Sequence, residues 1–245
     1  AIEANRESCD RLRKNLNSNC QVPHVIENVA VGSRSGQAVP LGYNSENLGS
    51  IAFREYDPNR DDEESVIEIL TLKQLRQRHD NYGLLKLDIE GAEYDALRGD
   101  SVWIRDNKPT IWAECNESPG AQQLLQFYLW ANLTPYYIAF PAFRRNNFKH
   151  CKEDPYPIAY EAALLGGDKQ LILNFISNLS ATEIIVRKIE SFEDLRKALW
   201  ETPRWGLKEW LNLSTAELIA LLGHAVKTDS YHDFIKRDSE GGTKK

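Results

Sequence analysis

Leu84-Leu85-Lys86-Leu87-Asp88-Ile89-Glu90-Gly91-Ala92-Glu93-Tyr94 is the stretch whose reading decides the fold. Residues 84–89 are nearly continuous in apolar character, the pattern of a strand buried on both faces. Glu90-Gly91 ends that strand, and Ala92, Tyr94 and Leu97 carry a helix to Gly99. Residues 110–115 repeat the pattern, a buried strand closing on Glu114. Ser118-Pro119 then supplies an N-cap and an N1 proline, and Leu124, Leu125, Tyr128 and Leu129 form the inward face of the next helix. Residues 136–140 and 160–165 are two further strands around a polar, aromatic loop at 141–157.

Working upstream, residues 5–19 read as a helix with Cys9, Leu12 and Leu16 on one face. Residues 22–31 read as a strand entering a turn at 32–36, and 38–53 as a small hairpin or meander. Residues 57–64 read as a solvated acidic loop. Thr71-Leu72-Lys73-Gln74 is a capping box opening a helix that ends near His79. Strands alternating with helices at this spacing predict an α/β layer fold with a mostly parallel sheet. Beyond Lys169 the pattern changes: Ser191-Phe192-Glu193-Asp194 and Ser214-Thr215-Ala216-Glu217 are helix starts. The expected organisation is a principal domain over 1–170, a helical appendage over 171–236 and a polar tail over 237–245.

Composition narrows the function classes. The chain has 245 residues, 42% of them hydrophobic, which excludes wholesale disorder. No apolar run approaches the ~20 residues needed to cross a bilayer. The net charge of −6 argues against a broad nucleic-acid or anionic-membrane surface. Arg144, Arg145, Lys149 and Lys152 form the one local basic cluster; it either steers an anionic substrate or is a solvated loop, and the second is the plainer reading. Cys9, Cys20, Cys115 and Cys151 show neither CxxC nor zinc-ligand spacing, so reduced thiols and a cytoplasmic location are expected. There is no methionine.

In such sheets ligands sit outside the carboxyl ends of the strands. Three strands end in acids there: Glu3, then Asp88 with Glu90, then Glu114. A carboxylate accepts two hydrogen bonds at once, which suits a ribose diol. An acid capping the next helix explains any single one of them equally well. Glu93 reads as a first-turn acid favoured by the helix dipole, and Lys86 as an edge or snorkelling residue.

Together with Ala1-Ile2-Glu3-Ala4-Asn5, Asn28-Val29-Ala30-Val31-Gly32, Asn47-Leu48-Gly49-Ser50 and Thr110-Ile111-Trp112-Ala113-Glu114-Cys115, the Lys86–Glu93 stretch resembles the FkbM-type methyltransferases over residues 1 to about 167. The resemblance implies a Rossmann-like class I methyltransferase sheet and methyl transfer from S-adenosylmethionine to an oxygen, on a sugar or glycan hydroxyl. It implies that Glu3, Ala30, Val31 and Asp88 bind the cofactor, and that Asp88, Glu90 and Glu114 carry the chemistry. Asn47, Ser50, Asn146 and Asn147 fall at substrate-side positions. Methyl transfer to an alcohol needs an aligned acceptor and either a base or a metal to take up the proton. The three acids could serve as base or hold magnesium; the metal-free reading is preferred, and no metal ligand is assigned.

The family's first strand and Gly-rich loop belong before Glu3, so the sheet is expected to be N-terminally incomplete. Gly166-Gly167 and Gly241-Gly242 are read as lacking the strand-loop-helix context of such a loop. Either the chain is part of an intact enzyme, the favoured reading, or it is a remnant unable to bind the cofactor. The flanking strands of a remnant would be unpaired, an edge that invites aggregation or a partner. The rival function is thus a non-catalytic scaffold or partner-binding module. Its partner, or a second copy, would be engaged through the C-terminal helices. No nucleic acid is expected.

Overall fold

The computed structural model describes residues 1–41, 53–62, 65–116, 119–144, 146–153, 159–179, 184–202, 214 and 216. Two compact units make up the chain: Ala1–Ala139 with Ala162–Glu201, and Phe140–Glu161 with Thr202–Lys245. The first opens with helix α1 (Arg6–Asn19), capped by Asn5, whose side chain accepts the Ser8 N–H, and buried through Cys9. Strands β1 (Ala30–Val31), β2 (Gly36–Pro40), β3 (Phe53–Glu55) and β4 (Ile67–Leu70) form a four-stranded sheet in the order β1-β4-β2-β3. Helix α2 (Leu72–His79) starts at the expected capping box, with both reciprocal bonds between Thr71 and Gln74 present. Strand β5 (Leu84–Leu87), helices α3 (Glu93–Arg98) and α4 (Ser101–Asn107), strand β6 (Thr110–Glu114) and helix α5 (Pro119–Trp130) follow. Strands β7 (Tyr136–Pro141) and β8 (Tyr160–Gly166), helix α6 (Lys169–Ser177), strand β9 (Ile185–Lys188) and helix α7 (Phe192–Glu201) complete the elements, and the second sheet runs β5-β6-β8-β7-β9.

The sheets are mixed, not mostly parallel. β1/β4 and β5/β6 are parallel, whereas β2/β3, β2/β4, β6/β8 and β7/β9 are antiparallel. β2 pairs antiparallel with both of its neighbours, and β8, reached only after α5 and β7, runs back beside β6. β4 went unread in the sequence because Ile67-Glu68-Ile69-Leu70 is short and follows an acidic run. β9 lies inside the stretch expected to be helical; its Ile185-Val186 pair is β-branched and continues the sheet beyond β7. Asp61, expected to be solvated, is instead an almost buried partner of Arg54 and accepts the Asp57 N–H. That partnership holds its carboxyl far below the usual carboxylate range.

The core sits under β6, β7 and β8. Ile111, Ala113, Tyr137, Ile138, Ala139 and Leu164 are essentially inaccessible. From α5, Leu124, Leu125 and Tyr128 reach into it, while Leu129, expected inward, is 45% exposed. The Tyr128 hydroxyl donates toward the carbonyls of Ile111 (3.3 Å) and Leu164 (3.0 Å), linking β6 and β8 from one helix. Gly166 makes this possible: a Cβ there would lie 2.5 Å from the Tyr128 ring. Gly166-Gly167 does stand between a strand and a helix, β8 and α6, contrary to the sequence reading. Its glycines answer close packing, since a Cβ on Gly167 would press on the Pro109 carbonyl at 3.1 Å.

β5 departs furthest from expectation. Its burial runs exposed, half-buried, exposed, buried, and Leu84 is 67% exposed. β5 is the end strand of its sheet, and no described strand pairs with its outer edge. The Thr110 N–H donates to the Gly83 carbonyl at 2.9 Å, with Leu84 opposite Thr110. In a parallel ladder Leu85 and Leu87 therefore turn their backbone groups to β6, and Leu84 and Lys86 turn theirs outward. The amides of Leu84 and Lys86 should exchange with deuterium much faster than those of Leu85 and Leu87. Equal protection along all four, read by NMR, would show that the outer edge is paired.

Candidate functional site

The site is built on the turn between β5 and α3. Glu90 (φ 55°) and Gly91 (φ 94°) are consecutive left-handed residues. Nothing lies within 4 Å of where a Gly91 Cβ would stand, so glycine is needed there for conformation and not for space. A non-glycine residue such as Glu90 gives up roughly 1–2 kcal/mol in that conformation, so the turn needs something to hold it. Glu93 supplies the hold. This first residue of α3 is 6% exposed, and its Oε1 accepts the backbone N–H groups of Ile89 (3.0 Å) and Gly91 (3.3 Å). Sequence reasoning gave Glu93 only a helix-dipole role. The available signal was an acid two residues after a strand-ending Glu-Gly pair, where its carboxylate can reach back to the turn amides.

One side of this turn faces a cleft of about 1530 Å³. Glu3, Ala30, Val31, Asp88 and Glu90, which are far apart in sequence, all line it. Glu3 stands beside the parallel bridge between Ile2 and Glu27, and Asn28 Nδ2 donates to the carbonyls of Glu3 (2.8 Å) and Ala4 (3.0 Å). The Glu3 Oε1 accepts the Asn5 N–H at 2.7 Å, so the helix-entry role and a place on the cleft wall coexist. Ala30 and Val31 lie within β1 and not past the end of a strand. Asp88 is 55% exposed in its side chain and pairs with Lys86 Nζ at 2.8 Å, which gives Lys86 a definite place at the open edge. An ion pair between Arg34 and Glu55 forms part of the same wall.

The other side of the turn faces a smaller cavity of about 210 Å³, lined by Glu90, Gly91 and Glu93 with Glu114, Cys115 and Asn116. The three acids expected on one rim are thus divided: Asp88 lines the cleft, Glu114 the small cavity, and Glu90 both. Asn116, which sequence reasoning passed over, donates from Nδ2 to Glu114 Oε1 at 2.8 Å. Among the described residues no three His, Cys, Asp or Glu side chains gather as a metal-holding group. Asn47 and Ser50 lie outside the described residues. Asn146 and Asn147 belong to the other unit. There the Asn147 side chain is spent on its own loop, donating to the carbonyls of Arg144 (3.0 Å) and Cys151 (2.9 Å) and accepting the Cys151 N–H (3.0 Å).

Comparison with known proteins adds a family. Residues 1–151 match the model of the methyltransferase FkbM domain. A crystal structure of methyltransferase FkbM from Methylobacillus flagellatus KT is similar at 15% identity and a TM-score of 0.39, covering 67% of this chain and 35% of that one. The chain thus spans about a third of the length of that protein. No curated protein matches.

Glu114 carries a pH signature. Burial raises its pKa above the usual carboxylate value, and the charges of Asp88, Glu90 and Glu93 push the same way against the Asn116 hydrogen bond. Because the folded pKa is the higher one, the stability contributed by neutral Glu114 is complete below the unfolded value of about 4.3. It is lost as pH rises through the folded value. Glu114→Gln should match the wild type in urea unfolding at about pH 4 and be the more stable of the two at about pH 7. A difference independent of pH would contradict the raised pKa.

Proposed function

The chain belongs to the methyltransferase FkbM family, and on that premise we propose that it transfers a methyl group from S-adenosylmethionine to an oxygen acceptor, with a sugar or glycan hydroxyl as the acceptor class. The observation that carries the reading is the meeting of Glu3, Ala30, Val31, Asp88 and Glu90 on one cleft. The residues fit such a cofactor. Glu3 keeps one carboxylate oxygen beyond its bond to the Asn5 N–H, available to a ribose hydroxyl. Ala30 and Val31 offer an apolar wall to a base. Asp88 and Glu90 place negative charge where a sulfonium cation is favoured over a neutral product. When bound, S-adenosylmethionine supplies a methyl group activated by positively charged sulfur.

The chain's own residues position the acceptor and take its proton. A hydroxyl held in the cleft beside the Glu90–Gly91 turn would face Asp88 and Glu90, while Glu114 stands across the turn in the smaller cavity. Asp88 and Glu90, which line the cleft itself, are the candidate proton acceptors there, with Asp88 held in place by its ion pair with Lys86. The oxygen would bond to the methyl carbon as the carbon–sulfur bond breaks and neutral S-adenosylhomocysteine leaves, with the hydroxyl proton passing to a carboxylate of the cleft.

One observation favours the module reading: the outer edge of β5 is unpaired among the described residues and offers backbone groups to an added strand. Calorimetric titration of the full-length protein with S-adenosylhomocysteine separates the two. Micromolar binding supports the enzyme, and no binding supports the module. A methyl-transfer screen against nucleotide-sugars and glycans then identifies the acceptor. Asp88→Asn should reduce turnover by at least ~100-fold; wild-type turnover in that variant would remove Asp88 from the mechanism.

A further inference from the structure

The loop between β7 and β8 is a built feature in the second unit. Its base is closed by the Ala142 N–H donating to the Ala159 carbonyl at 2.9 Å. Its tip is closed by the three hydrogen bonds of the Asn147 side chain, and His150 adopts φ 53° to complete the turn. On this braced tip Phe148 is 98% exposed. Arg144, Lys149 and Lys152 are also exposed and make no ion pair with any described residue. Residues 142–152 contain no acid, and with the Glu153-Asp154 pair that follows, the stretch 142–154 carries four cations and two acids in a chain whose net charge is −6.

Folding does not place an aromatic ring in water at the apex of a hydrogen-bonded turn for the stability of that turn. Nor is a convex tip a small-molecule site, since such sites are concave. A ring flanked by unpaired cations is the arrangement that meets a planar anionic interface: the ring enters the headgroup layer while the cations pair with phosphates. A lone ring offers no platform for successive bases, which a single-stranded nucleic acid requires. Screening limits the reach of charge to about 8–10 Å at physiological salt, so Glu153 and Asp154 offset the tip more than distant acids do, and the four cations of the stretch outnumber them.

We propose that the 142–152 loop is a peripheral contact for an anionic phospholipid surface, with Phe148 as the inserting residue and Arg144, Lys149 and Lys152 as the phosphate-pairing ones. It stands independently of the methyl-transfer reading. The contact is weak and reversible, and each cation near such a surface is worth about fivefold in partitioning.

Co-sedimentation of the 245-residue chain with phosphatidylcholine vesicles, with and without about 30% phosphatidylserine, tests it. Binding is expected only with phosphatidylserine, and should disappear at about 0.5 M salt. Lys149→Ala with Lys152→Ala should weaken it about 25-fold, and Phe148→Ser should weaken it while leaving the salt dependence in place. All three side chains are exposed, and unchanged circular dichroism would confirm that the variants fold. Absence of phosphatidylserine-dependent binding at low salt would overturn the proposal. So would equal binding by wild type and variants, or binding to single-stranded DNA or an acidic peptide without binding to vesicles.

Discussion

A single buried carboxylate holds the centre of this site in place. Glu93 accepts two backbone N–H groups from a turn in which successive residues are left-handed. Hydrogen bonds to a charged acceptor contribute roughly 1.5–3 kcal/mol each, more than the strain of Glu90 requires. That hold adds to the turn-closing bond from the Ala92 N–H to the Ile89 carbonyl (3.3 Å). With it, Asp88 and Glu90 are fixed at the end of β5, and the Glu90–Gly91 segment becomes a wall with a cavity on either side. The division of acids follows. Asp88 stays exposed and paired with Lys86, while burial and the charges around it raise the pKa of Glu114.

The same turn stands at the end of a strand that is half exposed. β6, β7 and β8 bury their side chains thoroughly, while β5 presents an apolar sequence along an edge that no described strand covers. Leu84 at 67% exposure is a costly residue to leave in water. The cleft lies along this edge, bounded opposite by residues 1–4 and by β1 and β2. Its volume exceeds the roughly 300–1,000 Å³ of an ordinary small-molecule pocket, so a cofactor would fill only part of it.

Local signals in the sequence were read well. The Thr71–Gln74 capping box, the Asn5 start of α1 and the β6-to-α5 succession each depend on residues within a few positions of one another. What escaped depends on partners far away. Arg54 finds Asp61 across a stretch that reads as a solvated acidic loop. β9 is a strand because β7 is available to pair with it. The exposure of β5 was illegible for the same reason: an apolar run states what a strand prefers to touch, not whether a neighbour is there. That Asp88 and Glu90 follow β5 and that Glu114 ends β6 was legible, while their division between two cavities was not. The bracing role of Glu93 was not, since an acid in the first turn of a helix has an ordinary local explanation.

The central claim is that Glu93 acts through the turn it holds. Affinity for S-adenosylhomocysteine, measured by calorimetry on Glu93→Gln and Glu93→Ala alongside the wild type, tests it most directly. The glutamine variant retains an oxygen that can accept both N–H groups and should bind within about threefold of wild type. The alanine variant should lose at least ~10-fold, the equivalent of about one charge-assisted hydrogen bond, while the buried core of β6, β7 and β8 keeps its deuterium protection. Wild-type affinity in Glu93→Ala, with the amides of Ile89 and Gly91 deprotected, would contradict the account.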